Sequence, residues 1–306
     1  GPDCIFVERA GKLTRVKSRF SSPEKLDDVI QQIVGKVNRV VNESSPIVDA
    51  RLPDGSRVNV VTAPVALEGP ILTIRRFPEV PITMDMLIGY GSISAEAASF
   101  LEMLVRSGYS IIIGGGTSAG KTTFLNALSN YIPKTERIIT IEDNAELQIQ
   151  GVPNLVRMEA KQANMEGNAE ITIRDLIKSS LRMRPDRIIV GEVRGGEAVD
   201  MLQAFNTGHD GSLCTIHANS TYDMLSRLET MVLMTFPLPL AAIRRQIASG
   251  VDILIHLGRL RDHSRRVLEI AEVDGMDGDE VRIHSLFSWN DEKEESKIGR
   301  AVQQEC

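Results

Sequence analysis

The stretch Gly114–Phe124, "GGGTSAGKTTF", decides how the chain folds. It follows the apolar run "YSIII" and leads into "LNALSNY". Residues 115–122 fit the pattern G-x-x-x-x-G-K-[ST], with a strand expected before it and a helix after it, which is the context a phosphate-binding loop needs. Glycines let backbone N–H groups turn toward a β-phosphate, and the first turn of the helix adds its positive end. Lys121 then neutralises β/γ oxygens, and the Thr122 hydroxyl serves Mg²⁺. The nucleotide-binding residues expected on this reading are Gly115, Gly116, Thr117, Ser118, Ala119, Gly120, Lys121, Thr122 and Thr123.

Working outward, "YSIIIG", "RIITIED", "NLVRMEA", "RIIVGEV" and "SLCTIHA" are short β-branched runs separated by helical spacing. Continuous apolar strands between helices imply a sheet buried on both faces, hence a doubly wound α/β core. Ser94 is placed to cap the first helix and Gly108 to end it, while Thr172 and Asp175 form a capping-box pattern before "IRDLIKSSLRM". Glu142 and Asp143 fall at the end of one strand and Glu192 at the end of another. In an open parallel sheet these ends converge beside the phosphate loop, so the acids are candidates to orient attacking water or to hold Mg²⁺ through water, with Thr122, Glu142 and Asp143 as the metal set. "GHDGSLCTIHANS" adds His209 and His217. No Cys or third His completes a zinc set, so a hydrogen-bonding role near a terminal phosphate suits them better than a metal; a structural role stands level with it for His217 and ahead of it for His209.

Upstream, residues 1–77 mix β-like runs ("CIFVE", "SRVNVVTA", "ILTIRRF") with an amphipathic helix starting at Pro23, "PEKLDDVIQQIVGKVNRVV". "LPDGSRV" supplies a hairpin turn. This predicts a small α+β domain, then a linker over 78–93, the α/β domain over 94–290, ending in a hairpin across Asp277-Gly278, and a polar, frayed tail over 291–306. The 306 residues suffice for two cores. No apolar run approaches the roughly 20 residues that span a bilayer, which predicts a cytoplasmic protein. Cys4, Cys214 and Cys306 form no CxxC pair and read as free thiols.

Together "GGTSAGKT", "TIEDNAEL", "RPDRIIVGEVRGGEA" and "GHDGSLCTIHANS" stand in one order. The set resembles the Walker A, Asp box, Walker B and His box of the type II/type IV secretion ATPases, and within them the CpaF branch, which serves tight-adherence (Flp-type) pili. "RLPDGSRVNVV" and "LTIRRF" extend the resemblance into the N-terminal domain. What it implies is a RecA-like P-loop ATPase that uses ATP and Mg²⁺. It would work as a homo-hexamer, peripheral at the inner membrane, and drive pilus assembly or protein export through a membrane platform protein. By matching positions, Glu192 polarises water, Glu142 and Asp143 assist, and His217 is the His-box histidine. Arg75 and Arg76 correspond to the family's nucleotide-directed arginines, only one of which can reach phosphate if both lie on a strand. One departure stands out. Gly191 precedes Glu192 where the common Walker B ends in Asp-Glu.

A RecA-like core also serves nucleic-acid motors, and fold alone does not decide between the trades. A formal charge of −6, a pI near 5.5 and 13 aromatic residues (1 Trp, 4 Tyr, 8 Phe) supply few stacking platforms or phosphate-tracking charges, so no nucleic-acid partner is expected.

Overall fold

The computed structural model describes residues 1–9, 12–76, 80–161 and 169–290, together with the backbone of 295–298. The chain forms two compact units, Gly1–Glu79 and Val80–Cys306.

In the first unit, β1 (Ile5–Arg9) and β2 (Lys12–Val16) pair antiparallel, followed by α1 (Pro23–Gly35) and a meander of β3 (Ile47–Arg51), β4 (Arg57–Val61) and β5 (Ile71–Arg75). Leu26, Ile30 and Val34, spaced four apart, put one face of α1 onto Val48, Val58 and Val60 of the meander. Ser22 caps the helix by accepting from Lys25 N, with Pro23 in its first turn. The helix ends at Gly35 rather than continuing to Val41, because Asn38 turns left-handed (φ 52°) and Arg39 N folds back to donate to Val34 O at 2.9 Å. The "LPDGSRV" turn closes through Leu52 N to Ser56 O at 2.9 Å, with Asp54 Oδ1 accepting from Ser56 N.

The second unit begins with α2 (Met84–Gly89) and α3 (Ala95–Arg106). From there β6 (Ile111–Gly115), α4 (Lys121–Ser129), β7 (Ile138–Glu142), β8 (Leu155–Glu159), α5 (Ile173–Ser180), β9 (Arg187–Val193) and α6 (Glu197–Phe205) follow in turn. The chain continues through β10 (Leu213–His217), α7 (Thr221–Thr235), α8 (Leu240–Gly250), β11 (Ile253–Arg259), β12 (Arg265–Asp277), β13 (Glu280–Asn290) and β14 (Glu295–Ile298). Among the described residues one sheet holds nine strands in the order β14-β13-β12-β11-β6-β10-β9-β7-β8. It is parallel from β11 to β8 and antiparallel from β11 to β14. Both faces are covered, since Ile111 and Ile113 of β6 enter a core shared with α3 and α4, while Ile112 between them enters one shared with α5 to α8. Ser94, Thr172 and Gly108 take the capping positions read from the sequence.

Two stretches differ from expectation. Residues 80–93, read as linker, carry α2, capped by Thr83, and Met84, Leu87 and Ile93 are buried in the second unit's core; residues 77–79 lie outside the described set. Part of the polar tail, 295–298, pairs antiparallel with β13 at the sheet edge, and the rest of the tail, with Cys306, lies outside it too. An edge strand needs only backbone partners, so composition did not reveal it.

Candidate nucleotide-binding and catalytic site

The strand-to-helix turn after β6 builds the loop. Gly115 is the last buried residue of β6, and a side chain there would meet Leu257 O at 2.7 Å. Ser118 (φ 61°) and Gly120 (φ 95°) then take left-handed conformations, and Gly120 stands as N-cap of α4 with no side chain capping that helix. The first-turn amides of Lys121, Thr122 and Thr123 are therefore free of side-chain caps, which is the arrangement that receives an anion. From β12, Arg265 Nε donates to Ser118 O at 2.8 Å and braces the loop.

Lys121 is buried, and its ammonium donates to Gly115 O at 3.1 Å and Gly116 O at 3.3 Å. Burial pulls its pKa down, with the nearby Glu192 carboxylate opposing. His217 ends β10, the strand beside β6, in register with Gly115. Its Nε2 lies 2.7 Å from Glu192 Oε1 and its Nδ1 lies 3.3 Å from Lys121 Nζ. Burial also lowers the His217 pKa, against the pull of Glu192. A neutral ring protonated on Nε2 satisfies both contacts: Lys121 donates to Nδ1 and Nε2–H donates to Glu192. Lys121 itself stands 3.8 Å from Glu192 Oε1.

Glu192 lies within β9, one residue before its end, and the three charged or polar groups converge because β6, β10 and β9 are successive neighbours. Its second oxygen, Oε2, accepts from Arg194 Nε at 2.7 Å, and Arg194 Nη1 reaches Asp143 Oδ2 at 3.2 Å. Glu142 behaves differently. It ends β7, buried, with Oε1 accepting from Glu146 N (2.8 Å) and Leu147 N (2.9 Å), while Oε2 is buried and has no hydrogen-bond partner among the described residues. Burial drives its pKa up, against those two amides. The side chain lies against Gly191: a Cβ there would meet Glu142 Cγ at 2.8 Å. Glycine thus stands before Glu192 because the neighbouring strand's glutamate fills the space.

The site brings Lys121, His217, Glu192 and Asp143 into one linked set, with Glu142 packed behind it. Thr122 and Thr123 are half-buried in the first turn of α4. His209 precedes β10 at the far end of that strand from His217, so the two histidines share no site. Arg75 ends β5 and Arg76 follows it; both are exposed in the first unit, and the charge of Arg76 helps hold Asp54 below the usual carboxylate range, after the Ser56 hydrogen bonds. Sequence reading missed Arg194, Arg265 and Glu197, which accepts from Arg194 N at 2.7 Å and Gly195 N at 3.0 Å. "GEVRGGEA" contains two of them; a charged pair around two glycines past the strand that carries Glu192 was the available signal.

The donor set fits a nucleotide polyphosphate, with an uncapped helix start and a buried ammonium held beside it by two loop carbonyl oxygens. Among the described residues no cluster of three or more His, Cys, Asp or Glu stands ready for a metal. Of the residues expected to serve a divalent ion, Thr122 stands in the first turn of α4, Asp143 is paired with Arg194, and Glu142 is bound to two amides through Oε1 alone.

Residues 1–302 match the family described as type II/IV secretion system protein. A protein of Mycobacterium tuberculosis H37Rv named for conjugal transfer is 36% identical over 297 residues, covering 94% of this chain and 82% of that one. The VirB11 ATPase of the Brucella suis type IV secretion system, solved in complex with sulphate, superposes with a TM-score of 0.53 at 28% identity, covering 89% of this chain and 90% of that chain. The pilus retraction motor PilT with bound ADP shares the fold at a TM-score of 0.61 and 21% identity, over 98% of this chain and 78% of that chain.

Proposed function

The chain belongs to the type II/IV secretion system protein family, and from that premise we propose that it is a motor which couples ATP hydrolysis to pilus assembly or export of macromolecules at a membrane. It is a RecA-like P-loop ATPase preceded by a small α+β domain. The single observation that carries the chemistry is the Lys121–His217–Glu192 chain, which joins the phosphate loop to a carboxylate through one imidazole.

On substrate binding Lys121 exchanges its loop carbonyls for phosphate oxygens, and the α4 amides hold the same group. Mg²⁺, held by Thr122 and water, would neutralise phosphate charge. Glu192 orients the attacking water and draws off its proton, and His217 registers whether the terminal phosphate is in place. Arg75 or Arg76 contributes a guanidinium toward phosphate, as the family resemblance suggests. The finer reading is a homo-hexamer of the CpaF branch acting on a platform protein at the cytoplasmic face of the inner membrane. No helix among the described residues is long and apolar enough to cross a membrane, which suits a peripheral role.

The test is steady-state ATP hydrolysis by the parent, Lys121→Ala and Glu192→Gln, with nucleotide affinity measured beside it. Lys121→Ala is expected below about a tenth of the parental rate, a loss of roughly 1.4 kcal/mol or more. Glu192→Gln should bind ATP and turn it over slowly. Parental turnover by Lys121→Ala ends the assignment of the site. Imaging particles with an ATP analogue tests the ring, and stimulation by single-stranded DNA rather than by platform protein would replace the secretion reading with that of a nucleic-acid motor.

A further inference from the structure

Glu192 has two oxygens with different neighbours. Oε1 faces the phosphate loop, 2.7 Å from His217 Nε2 and 3.8 Å from Lys121 Nζ. Oε2 faces away, onto the Arg194 guanidinium at 2.7 Å. That guanidinium is itself anchored, by Asp143 Oδ2 at 3.2 Å, and the backbone of its turn is pinned by Glu197 Oε1 through the amides of Arg194 and Gly195. A carboxylate gripped by one oxygen loses its freedom to rotate, and the other oxygen then points in one direction. A planar fork can hold two acids at a fixed angle, which a lysine ammonium cannot copy.

Resting on the ATPase reading above, we propose that Arg194 is a positioning residue for hydrolysis: it holds Oε2 of Glu192 so that Oε1 is aimed at the phosphate loop, and Asp143 serves the reaction by anchoring Arg194 rather than by holding Mg²⁺. Arg194 and Asp143 line an open groove with Lys161, Thr172, Glu197 and Thr235, and the Arg194 side chain is 58% exposed, so a small cation has access to the place of its guanidinium.

The experiment uses the full chain. Arg194→Ala should lower kcat by about 10²-fold, the scale on which a displaced catalytic group loses rate, while ATP affinity and thermal unfolding stay near parental. Guanidinium ion at sub-denaturing concentration should restore part of the Arg194→Ala rate and leave the parent unaffected, and Arg194→Lys should fall between. Asp143→Asn should lower kcat without shifting the Mg²⁺ concentration for half-maximal rate, and Asp143→Asn with Arg194→Ala should be no slower than Arg194→Ala alone. Parental kcat in Arg194→Ala, affinity falling as far as rate, no recovery with guanidinium, or losses that multiply in the double variant would each overturn the proposal. Turnover by the parent and its loss in Lys121→Ala check the underlying ATPase reading separately.

Discussion

One arginine opens strand β9 and another follows its last residue, and the two are held in opposite ways. Arg187 opens the strand with its side chain 3% exposed. It grips Glu136 with Nε and with Nη2 (2.9 Å), and Nη1 donates to Val105 O at 2.6 Å and Gly211 O at 3.4 Å. Arg194, just past the other end, is 58% exposed and shares two acids, Glu192 and Asp143, across the edge where the phosphate loop lies. Both arginines pair with carboxylates. Burial makes the difference: a dehydrated guanidinium with every partner in place is a rivet between α3, β9 and the turn before β10, whereas a hydrated one orients its acids but adds little to stability.

The largest effect should come from breaking the rivet. Glu136→Ala leaves the buried Arg187 charge without its counter-ion and is expected to cost about 3–5 kcal/mol, a large share of what a domain has to spare. Equilibrium unfolding in urea reads the loss, and the rate per folded molecule should hold. Arg194→Ala should cost less than about 1 kcal/mol in the same unfolding assay. If Glu136→Ala and Arg194→Ala lower stability alike, the contrast between the two ends of β9 collapses.

A smaller effect is expected at Gly191, where the site meets the core. Gly191→Ala drives a methyl to 2.8 Å from Glu142 Cγ, and Glu142 cannot swing aside freely because its Oε1 is bound to two loop amides. Overpacking of this kind costs about 1–3 kcal/mol. Glu142→Ala removes Cγ, so in that background Gly191→Ala should cost almost nothing; equal costs with and without Glu142 would show that the glycine serves another neighbour.

The same contrast explains what could be read from the sequence. The strands "YSIII", "RIIV" and "SLCTIH" were legible because a parallel strand covered on both faces must be apolar throughout, and "GGTSAGKT" because its glycines and lysine are demanded by local backbone geometry. Lys121 comes from that loop pattern, Glu192 from where its strand ends, and His217 from the resemblance of its segment to the family's His box. Arg194 was not legible, because its role depends on Asp143 just past β7, a strand that lies beside β9 in the sheet but two strands earlier in the chain, which no local pattern encodes. The early end of α1 and the helix within 80–93 were hidden for a related reason. Val41 is buried although it lies past the helix, and Met84 and Leu87 form an apolar face only two residues wide, so hydrophobic spacing extended the one and missed the other.

The smallest expected effect is one of pH, and it sharpens the comparison by setting two glutamates side by side. Glu136 meets its cation with both oxygens, whereas Glu142, in the neighbouring β7, is buried with Oε2 unpartnered. Burial raises the Glu142 pKa, the two backbone amides and Arg157 opposing it. A carboxyl with a raised folded pKa holds its proton longer in the native state than in the unfolded chain. In that interval the folded protein binds more protons, so stability falls as pH rises above the ordinary glutamate range and levels off once the buried group has ionised. One such group can contribute a slope of at most about 1.4 kcal/mol per pH unit. Glu142→Gln keeps an oxygen for the Glu146 and Leu147 amides and carries no titrating proton. Its unfolding free energy, compared with that of the parent across mildly acid to neutral pH, should therefore lose this descending component, so that the variant gains on the parent as pH rises. Parallel curves for the two proteins would mean that Glu142 ionises in its ordinary range and that water reaches Oε2, which would make the carboxyl edge of the sheet wetter than its packing against Gly191 implies.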